Sequence, residues 1–149
     1  MAAETFERIL ADVKTAMRAK DRQRTTALRM FVSVLKNEEI KLRRDLTEDD
    51  ILGLLSTEAK KRREAATAFR DGGRDELADK EIAELGLIEA YLPAPLTEDE
   101  VAALVTAAIA EVGAQTPRDM GKVMGKVMPQ IKGRFDGGAL KDIVLGKLR

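Results

Sequence analysis

Apolar residues recur along almost the whole chain at the spacing of amphipathic helices, and no segment alternates with the period of two that a strand requires. The first stripe consists of Phe6, Ile9, Leu10, Val13 and Met17. A fourth stripe is expected on the buried side of its helix and consists of Leu77, Ile82, Leu85, Ile88 and Leu92. The pattern predicts an all-α fold, with about four helices in residues 1–92 and about three in residues 97–149.

Polar residues that cap helices precede several of these stripes. Thr47 is followed by three carboxylates, and Thr97 with Glu100 reads as a capping box. Asp21 and Asp136 are further expected N-caps, and Gly113 is an expected C-terminal cap. Thr116 and Pro117 predict the start of a helix that Pro129, and then Gly133, should end.

Two prolines within three residues, Pro93 and Pro95, interrupt the helical pattern. Neither fits inside a helix, and each pushes the residue before it towards an extended conformation. We therefore predict an amino-terminal helical domain over residues 1–92, a linker over 93–96 and a helical tail domain over 97–149.

The chain of 149 residues contains no Cys and no His, which excludes several kinds of chemistry. A thiolate nucleophile, a Cys/His zinc site, a disulfide and an imidazole base are all impossible. The acidic groups lack the spacing of an EF-hand, and the glycines lack the Walker A pattern, so neither a metal nor a cofactor is predicted. Without an apolar run of membrane-spanning length or a secretory leader, we expect no membrane contact and a cytoplasmic location.

Basic residues are concentrated at the carboxyl end of the chain. Residues 1–95 have a charge balance of −1 and residues 96–115 one of −4, while residues 116–149 come to +5. Such an excess is suited to a polyanion such as RNA, although a merely solvated surface is the alternative. Only Phe135 is aromatic there, so any contact would be with phosphate and shape and not by base stacking.

The segment Asp119 to Met128 places Gly121 and Gly125 four residues apart, with Lys122 and Lys126 beside them. Each glycine costs a helix roughly 1 kcal/mol relative to alanine. We expect close approach of another backbone to offset that cost, either from a neighbouring helix of the protein or from RNA. A second basic run, Lys60 to Arg63, surrounds one helical turn, so at least one of its side chains must cover the core or pair with an acid.

Three segments together resemble the YqeY-like family over essentially the whole chain. The first is MFVSVLKNEEIKL at residues 30–42, and the second is AYLP at residues 90–93. The third is DMGKVMGKVM at residues 119–128, together with KGRFDG at residues 132–137. The carboxy-terminal half is also similar to the tail domain of the B subunit of tRNA-dependent amidotransferase (GatB). The resemblance implies an amino-terminal bundle joined to a GatB/YqeY-type tail, and a family label of carbon–nitrogen ligase with glutamine as amide donor.

By motif match, the resemblance implies that the RNA-contacting candidates are Lys122, Lys126, Lys132 and Arg134. The positions of close packing or backbone approach are Gly121, Gly125 and Gly133. No catalytic residue follows, because the only serines are Ser33 and Ser56, each inside a predicted helix, and no phosphate cradle is found.

The leading hypothesis is a non-catalytic accessory or adaptor that binds tRNA or another structured RNA. The alternatives are a protein-interaction module, whose partner would be an amidotransferase or translation-related protein, and an enzyme completed by a partner subunit.

Overall fold

The computed structural model describes residues 3–149 and confirms the all-α prediction. Within that range there are seven α-helices and no strand, namely α1 (Glu4–Arg18), α2 (Arg22–Leu42), α3 (Glu48–Asp71), α4 (Asp75–Glu89), α5 (Glu98–Val112), α6 (Met120–Ile131) and α7 (Gly137–Leu148). The chain divides into two compact units, Met1–Leu92 and Pro93–Arg149, which we call the amino-terminal unit and the tail unit. None of the helices described is long and apolar enough to cross a membrane.

Local capping sets the helix starts where the sequence predicts them. The Thr47 hydroxyl accepts the backbone N–H of Asp50 at 3.1 Å, and the Asp50 carboxylate accepts that of Thr47 at 2.9 Å. Thr97 and Glu100 form the same reciprocal box at the start of α5. Gly113 ends that helix with a φ of 69°, which glycine adopts at little cost. These predictions are confirmed. Each depends on residues close together in the chain, so the local sequence is sufficient to predict it.

The amino-terminal unit buries a core contributed by α1 to α4, with Phe31, Leu28, Leu35, Ile51 and Ile88 at its centre. Two residues expected on the buried side of α4 are instead exposed, Leu77 by 41% and Ile82 by 44%. Helix α4 packs mainly on α3, and its small residue Ala78 is fully buried. The prediction for Leu77 and Ile82 is wrong because a stripe is buried only where a neighbour covers it.

A long-range cap joins the first and third helices. The Glu48 carboxylate accepts the backbone N–H of Thr5 at 2.9 Å and its hydroxyl at 2.6 Å, at the amino terminus of α1. Thr5 is buried. A carboxylate at this helix end satisfies donors that have no partner within the helix, and its charge is favoured by the helix dipole.

Replacing Glu48 with glutamine should destabilise the amino-terminal unit by about 1 kcal/mol, because two charge-assisted hydrogen bonds are weakened. Urea unfolding followed by tyrosine fluorescence measures this unit alone, since Tyr91 is the only tyrosine and the chain has no tryptophan. Asp49→Asn is the matched control, since it removes a carboxylate from the same turn of α3. An equal loss in both variants would mean that the contact with Thr5 contributes nothing.

Tyr91 lies at the end of the amino-terminal unit, where its buried ring meets α1. Its hydroxyl donates to the Asp12 carboxylate, and the Arg8 guanidinium lies 5.3 Å from the ring centroid. Burial, together with the bond to Asp12, raises the pKa of Tyr91 above its usual value. The hydrogen bond to Asp12 ties the last residues before Pro93 to α1.

The tail unit has its own core, formed between α5, α6 and α7 by Val101, Val105, Val123, Val127, Ile131, Leu140 and Val144. The helix predicted to start at Pro117 begins instead as a 3-10 turn over Pro117–Asp119, and α6 starts at Met120. Pro129 does not end α6, which continues to Ile131. Pro129 lacks the N–H that would bond to the carbonyl four residues earlier, so α6 continues past it with one backbone hydrogen bond missing.

Candidate nucleic-acid interface on the tail unit

Helix α6 has one buried and one exposed face. Val123, Val127 and Ile131 point into the core of the tail unit, with Met120 and Met124 packed beside them. Gly121, Lys122, Gly125 and Lys126 are all exposed, and we call these four residues the glycine–lysine face. At about 100° per residue they fall within an arc of about 140°, so they form one continuous surface.

Both glycines of this face border open space. A Cβ atom built at Gly121 or Gly125 would meet no atom within 4 Å beyond the helix itself, among the residues that the structure describes. Packing between the helices of the tail unit therefore does not account for these two glycines. Within the tail unit no backbone approaches them in the way that the sequence predicts.

Gly133 has a separate role in the turn that follows α6. Its φ of 76° lies in the left-handed region that favours glycine. The turn is closed by the backbone N–H of Arg134, which donates to the carbonyl of Ile131 at 2.8 Å. Gly133 is thus required by the turn itself.

The two lysines of the glycine–lysine face have different surroundings. Lys126 Nζ lies 2.8 Å from Glu111 Oε1 on α5, and both side chains are about half exposed, so the pair contributes little to stability. Lys122 is exposed near Asp119, whose carboxylate accepts the backbone N–H groups of Gln115 and Thr116. These two hydrogen bonds hold the pKa of Asp119 below its usual value, and Lys122 adds to the effect.

The remaining basic candidates follow α6. Lys132 is exposed. Arg134 is half-buried, and its Nε donates to the carbonyl of Ala94 at 2.9 Å, while its own carbonyl accepts the N–H of Leu96 at 2.8 Å. Arg134 therefore holds residues 94–96 against the turn after α6. The sequence did not predict this contact, which joins residues 40 positions apart.

The structure also resolves which residue of the Lys60 to Arg63 run is buried. Arg62 is 9% exposed, and its guanidinium lies 3.1 Å from Glu58 and 3.4 Å from Glu84. Its charged carbon is 5.7 Å from the centroid of the Phe31 ring. The prediction that one base of this run must cover the core or pair with an acid is confirmed.

Neither serine lies in a setting that indicates nucleophilic catalysis. Ser33 lies in α2 and Ser56 in α3, each several residues from either end of its helix. Within residues 3–149 no group of three or more acidic side chains is placed to hold a metal ion. The basic surface of the tail unit is therefore the strongest candidate site.

Comparison with known proteins confirms the predicted family resemblance. A family model described as Yqey-like protein matches residues 6–148. Three relatives share the name "Altered inheritance of mitochondria protein 41, mitochondrial". The relative from Pyrenophora tritici-repentis is 31% identical over 130 residues, which cover 85% of this chain and 71% of the relative.

The other two relatives are matched over shorter stretches. The protein from Eremothecium gossypii is 38% identical over 84 residues, which cover 56% of this chain and 46% of the relative. The protein from Saccharomyces cerevisiae is 34% identical over 82 residues, which cover 54% and 44%. The matched region therefore covers less than half the length of each of these two relatives.

The relatives also correct one prediction. All three are named as mitochondrial proteins, so the predicted cytoplasmic location is wrong on this comparison. That prediction was drawn from the lack of an apolar span and a secretory leader. Those absences do not distinguish one aqueous compartment from another.

Proposed function

The chain belongs to the YqeY-like family, and from that premise we propose that it is a non-catalytic accessory protein that binds structured RNA, with tRNA as the expected ligand. The glycine–lysine face of α6 would contact the sugar–phosphate backbone. A link to tRNA-dependent amidotransferase is part of the same proposal. The observation that supports it most strongly is the open space above Gly121 and Gly125.

The two glycines of α6 carry an energetic cost. Each lowers the helix stability by roughly 1 kcal/mol relative to alanine, and no contact within the described part of the chain offsets that cost. A helix surface without Cβ atoms lets a ligand backbone come close to the helix. Lysines beside it can then reach phosphate oxygens at short range.

The surroundings of the face favour phosphate over bases as the contact. Phe135, half-buried, is the only aromatic residue of residues 97–149, so the tail unit offers no platform on which exposed bases could stack. Lys122, Lys126 and Lys132 are all exposed. Contacts of this kind recognise the shape and charge of a folded RNA and not its sequence.

The proposed function is tested by charge reversal on and after α6. In Lys122→Glu/Lys126→Glu/Lys132→Glu, we expect tRNA affinity to fall by about 100-fold or more at low salt, because attraction to phosphate becomes repulsion. The salt dependence of binding should also become shallower by about 2 to 3 units of slope. Filter binding of tRNA transcripts across a salt series measures both the affinity and its salt dependence. The transcripts include a mitochondrial tRNA, because the relatives are named as mitochondrial.

The matched control is Lys141→Glu/Lys147→Glu/Arg149→Glu. It makes the same change in net charge on exposed residues of the same unit, but at and after α7. We expect this control to weaken binding only through the change in the net charge of the protein. Equal losses in the two variants, or no binding by the unaltered protein at low salt, would refute the proposal.

A protein partner is the second candidate, and one observation favours it. Met128 is 38% exposed at the edge of the same face, and an apolar side chain beside open glycines also suits the backbone of a partner helix. Binding that survives nuclease treatment and high salt, but is lost in Met128→Lys, would favour this reading.

A further inference from the structure

The α1–α2 hairpin has a basic surface that the charge balance of the amino-terminal unit conceals. Residues 12–29 contain six basic side chains and two acidic ones, a balance of +4, whereas residues 1–95 as a whole come to −1. All six bases are exposed. We call them the hairpin basic surface, which consists of Lys14, Arg18, Lys20, Arg22, Arg24 and Arg29. This surface surrounds the end of the hairpin, because Arg22 and Arg24 lie about 200° apart around α2.

The two acids of this segment each accept a hydrogen bond from a group that is not a basic side chain. Asp21 caps α2 by accepting the backbone N–H of Arg24 at 3.1 Å, and Asp12 accepts the hydroxyl of Tyr91. In the part of the chain that the structure describes, no ion pair involves any of the six bases. Lys126 of the tail unit, by contrast, is already paired with Glu111.

The tip of the hairpin places a lysine where glycine would be favoured. The N–H of Asp21 donates to the carbonyl of Ala16 and that of Lys20 to the carbonyl of Met17, which is the Schellman pattern at the end of α1. Lys20 occupies its left-handed position with a φ of 59°. Non-glycine residues adopt that conformation at an energetic cost. A glycine at position 20 would therefore give a more stable turn, but it would remove a positive charge from the tip.

We propose that the hairpin basic surface is a second phosphate-binding surface, and that its ligand is the backbone of the same structured RNA that the tail unit binds. The inference rests on the proposed function, because it assumes an RNA ligand. Four of the six bases are arginines, whose planar guanidinium groups match phosphate oxygens in pairs.

An RNA backbone fits this surface better than an anionic membrane does. Residues 18–24 contain no large apolar side chain that could enter a lipid layer. Within residues 12–29, Met17 is the one large apolar residue that is exposed, by 48%, and its sulfur lies 3.6 Å from the Arg29 guanidinium. Membrane-binding helices need an apolar face beside the basic one. A charged surface without such a face is suited to a ligand that stays in water, as nucleic acid does.

The test compares four full-length proteins by tRNA binding across a salt series. They are the unaltered chain, Arg18→Gln/Arg22→Gln/Arg24→Gln, the tail variant Lys122→Glu/Lys126→Glu/Lys132→Glu, and the two sets combined. Glutamine keeps the helix propensity close to that of arginine. We expect the hairpin variant to bind about tenfold more weakly and to lose about 2 to 3 units of salt slope.

The matched control for the hairpin is Arg63→Gln/Arg74→Gln/Lys80→Gln. These three exposed bases lie on the α3–α4 hairpin of the same unit, and their removal changes the net charge equally. If the hairpin variant binds tRNA as the control does, the inference is overturned. It is also overturned if the hairpin variant loses binding to phosphatidylserine vesicles while its tRNA binding is unchanged.

Failure of the proposed function gives a different result. The tail variant would then match its own control at α7, whatever the hairpin variant does. A hairpin effect without a tail effect would refute the proposed function, and with it the claim that the two surfaces share one RNA. A tail effect without a hairpin effect would refute only the inference.

Lys20→Gly separates folding from binding at the tip. Glycine relieves the left-handed strain, so the melting temperature should rise by about 3 °C, while tRNA binding weakens several-fold because one phosphate contact is lost. Unchanged binding in this variant would count against the inference, since Lys20 lies at the tip between the bases of α1 and those of α2.

Discussion

Replacing Arg62 with alanine should destabilise the amino-terminal unit by about 3 to 5 kcal/mol, which is a large part of the total stability of a small domain. The substitution leaves Glu58 and Glu84 without the cation that they share. Lys61, which is 66% exposed, remains near Glu58, at 3.6 Å. The two glutamate side chains are only 9% and 16% exposed, so water cannot replace the guanidinium. The contact with the Phe31 ring is lost as well.

Urea unfolding followed by Tyr91 fluorescence measures this effect. Arg63→Ala is the matched control, because it removes an exposed arginine from the next position of the same helix and should change stability by no more than about 0.5 kcal/mol. In Arg62→Leu/Glu58→Met/Glu84→Met all three charges are replaced together, and most of the stability should return. A loss below 1 kcal/mol in Arg62→Ala would mean that water or Lys61 compensates the two carboxylates.

Gly121→Ala/Gly125→Ala should have opposite effects on folding and on binding. The tail unit should gain about 1 to 2 kcal/mol, because alanine favours the helix and its Cβ atoms meet nothing within 4 Å. The same two methyl groups keep a ligand backbone away from the helix. We expect tRNA affinity to fall by about tenfold, equivalent to about 1.4 kcal/mol of binding free energy.

Hydrogen exchange of the α6 amides measures the gain in stability, and filter binding measures the loss of affinity. Gly146→Ala is the matched control, since Gly146 lies in α7 of the same unit and also borders open space. It should stabilise its helix without weakening the binding. An α6 variant that is more stable and binds as before would show that nothing approaches these glycines.

Helix capping could be predicted from the sequence because it is local. Thr47, Thr97 and Asp136 each act on a backbone N–H three residues away, and the prolines at 93 and 95 break the helical pattern directly. Burial was harder to predict, because it depends on which neighbour covers a stripe. Ile82 is apolar and exposed, whereas Arg62 is charged and buried.

The candidate site was predicted in outline from the residues of α6. Its electrostatics depend on contacts between distant positions, such as Lys126 with Glu111 and Arg134 with Ala94, which no local pattern reveals. The hairpin basic surface was missed for another reason. Its excess of +4 disappears when charge is summed over 95 residues, and a sum over a window as short as one hairpin would have revealed it.

The contact between Arg134 and the linker has a consequence for how the two units meet a ligand. Ala94 is held to the tail unit, so a single residue, Pro93, separates it from Leu92 at the end of the amino-terminal unit. If both surfaces can reach one RNA across a connection this short, the second surface is at high effective concentration once the first has bound. Two weak surfaces joined in this way would act as one strong binding site. Lengthening the connection after Leu92 would then lower the avidity while each surface stays intact.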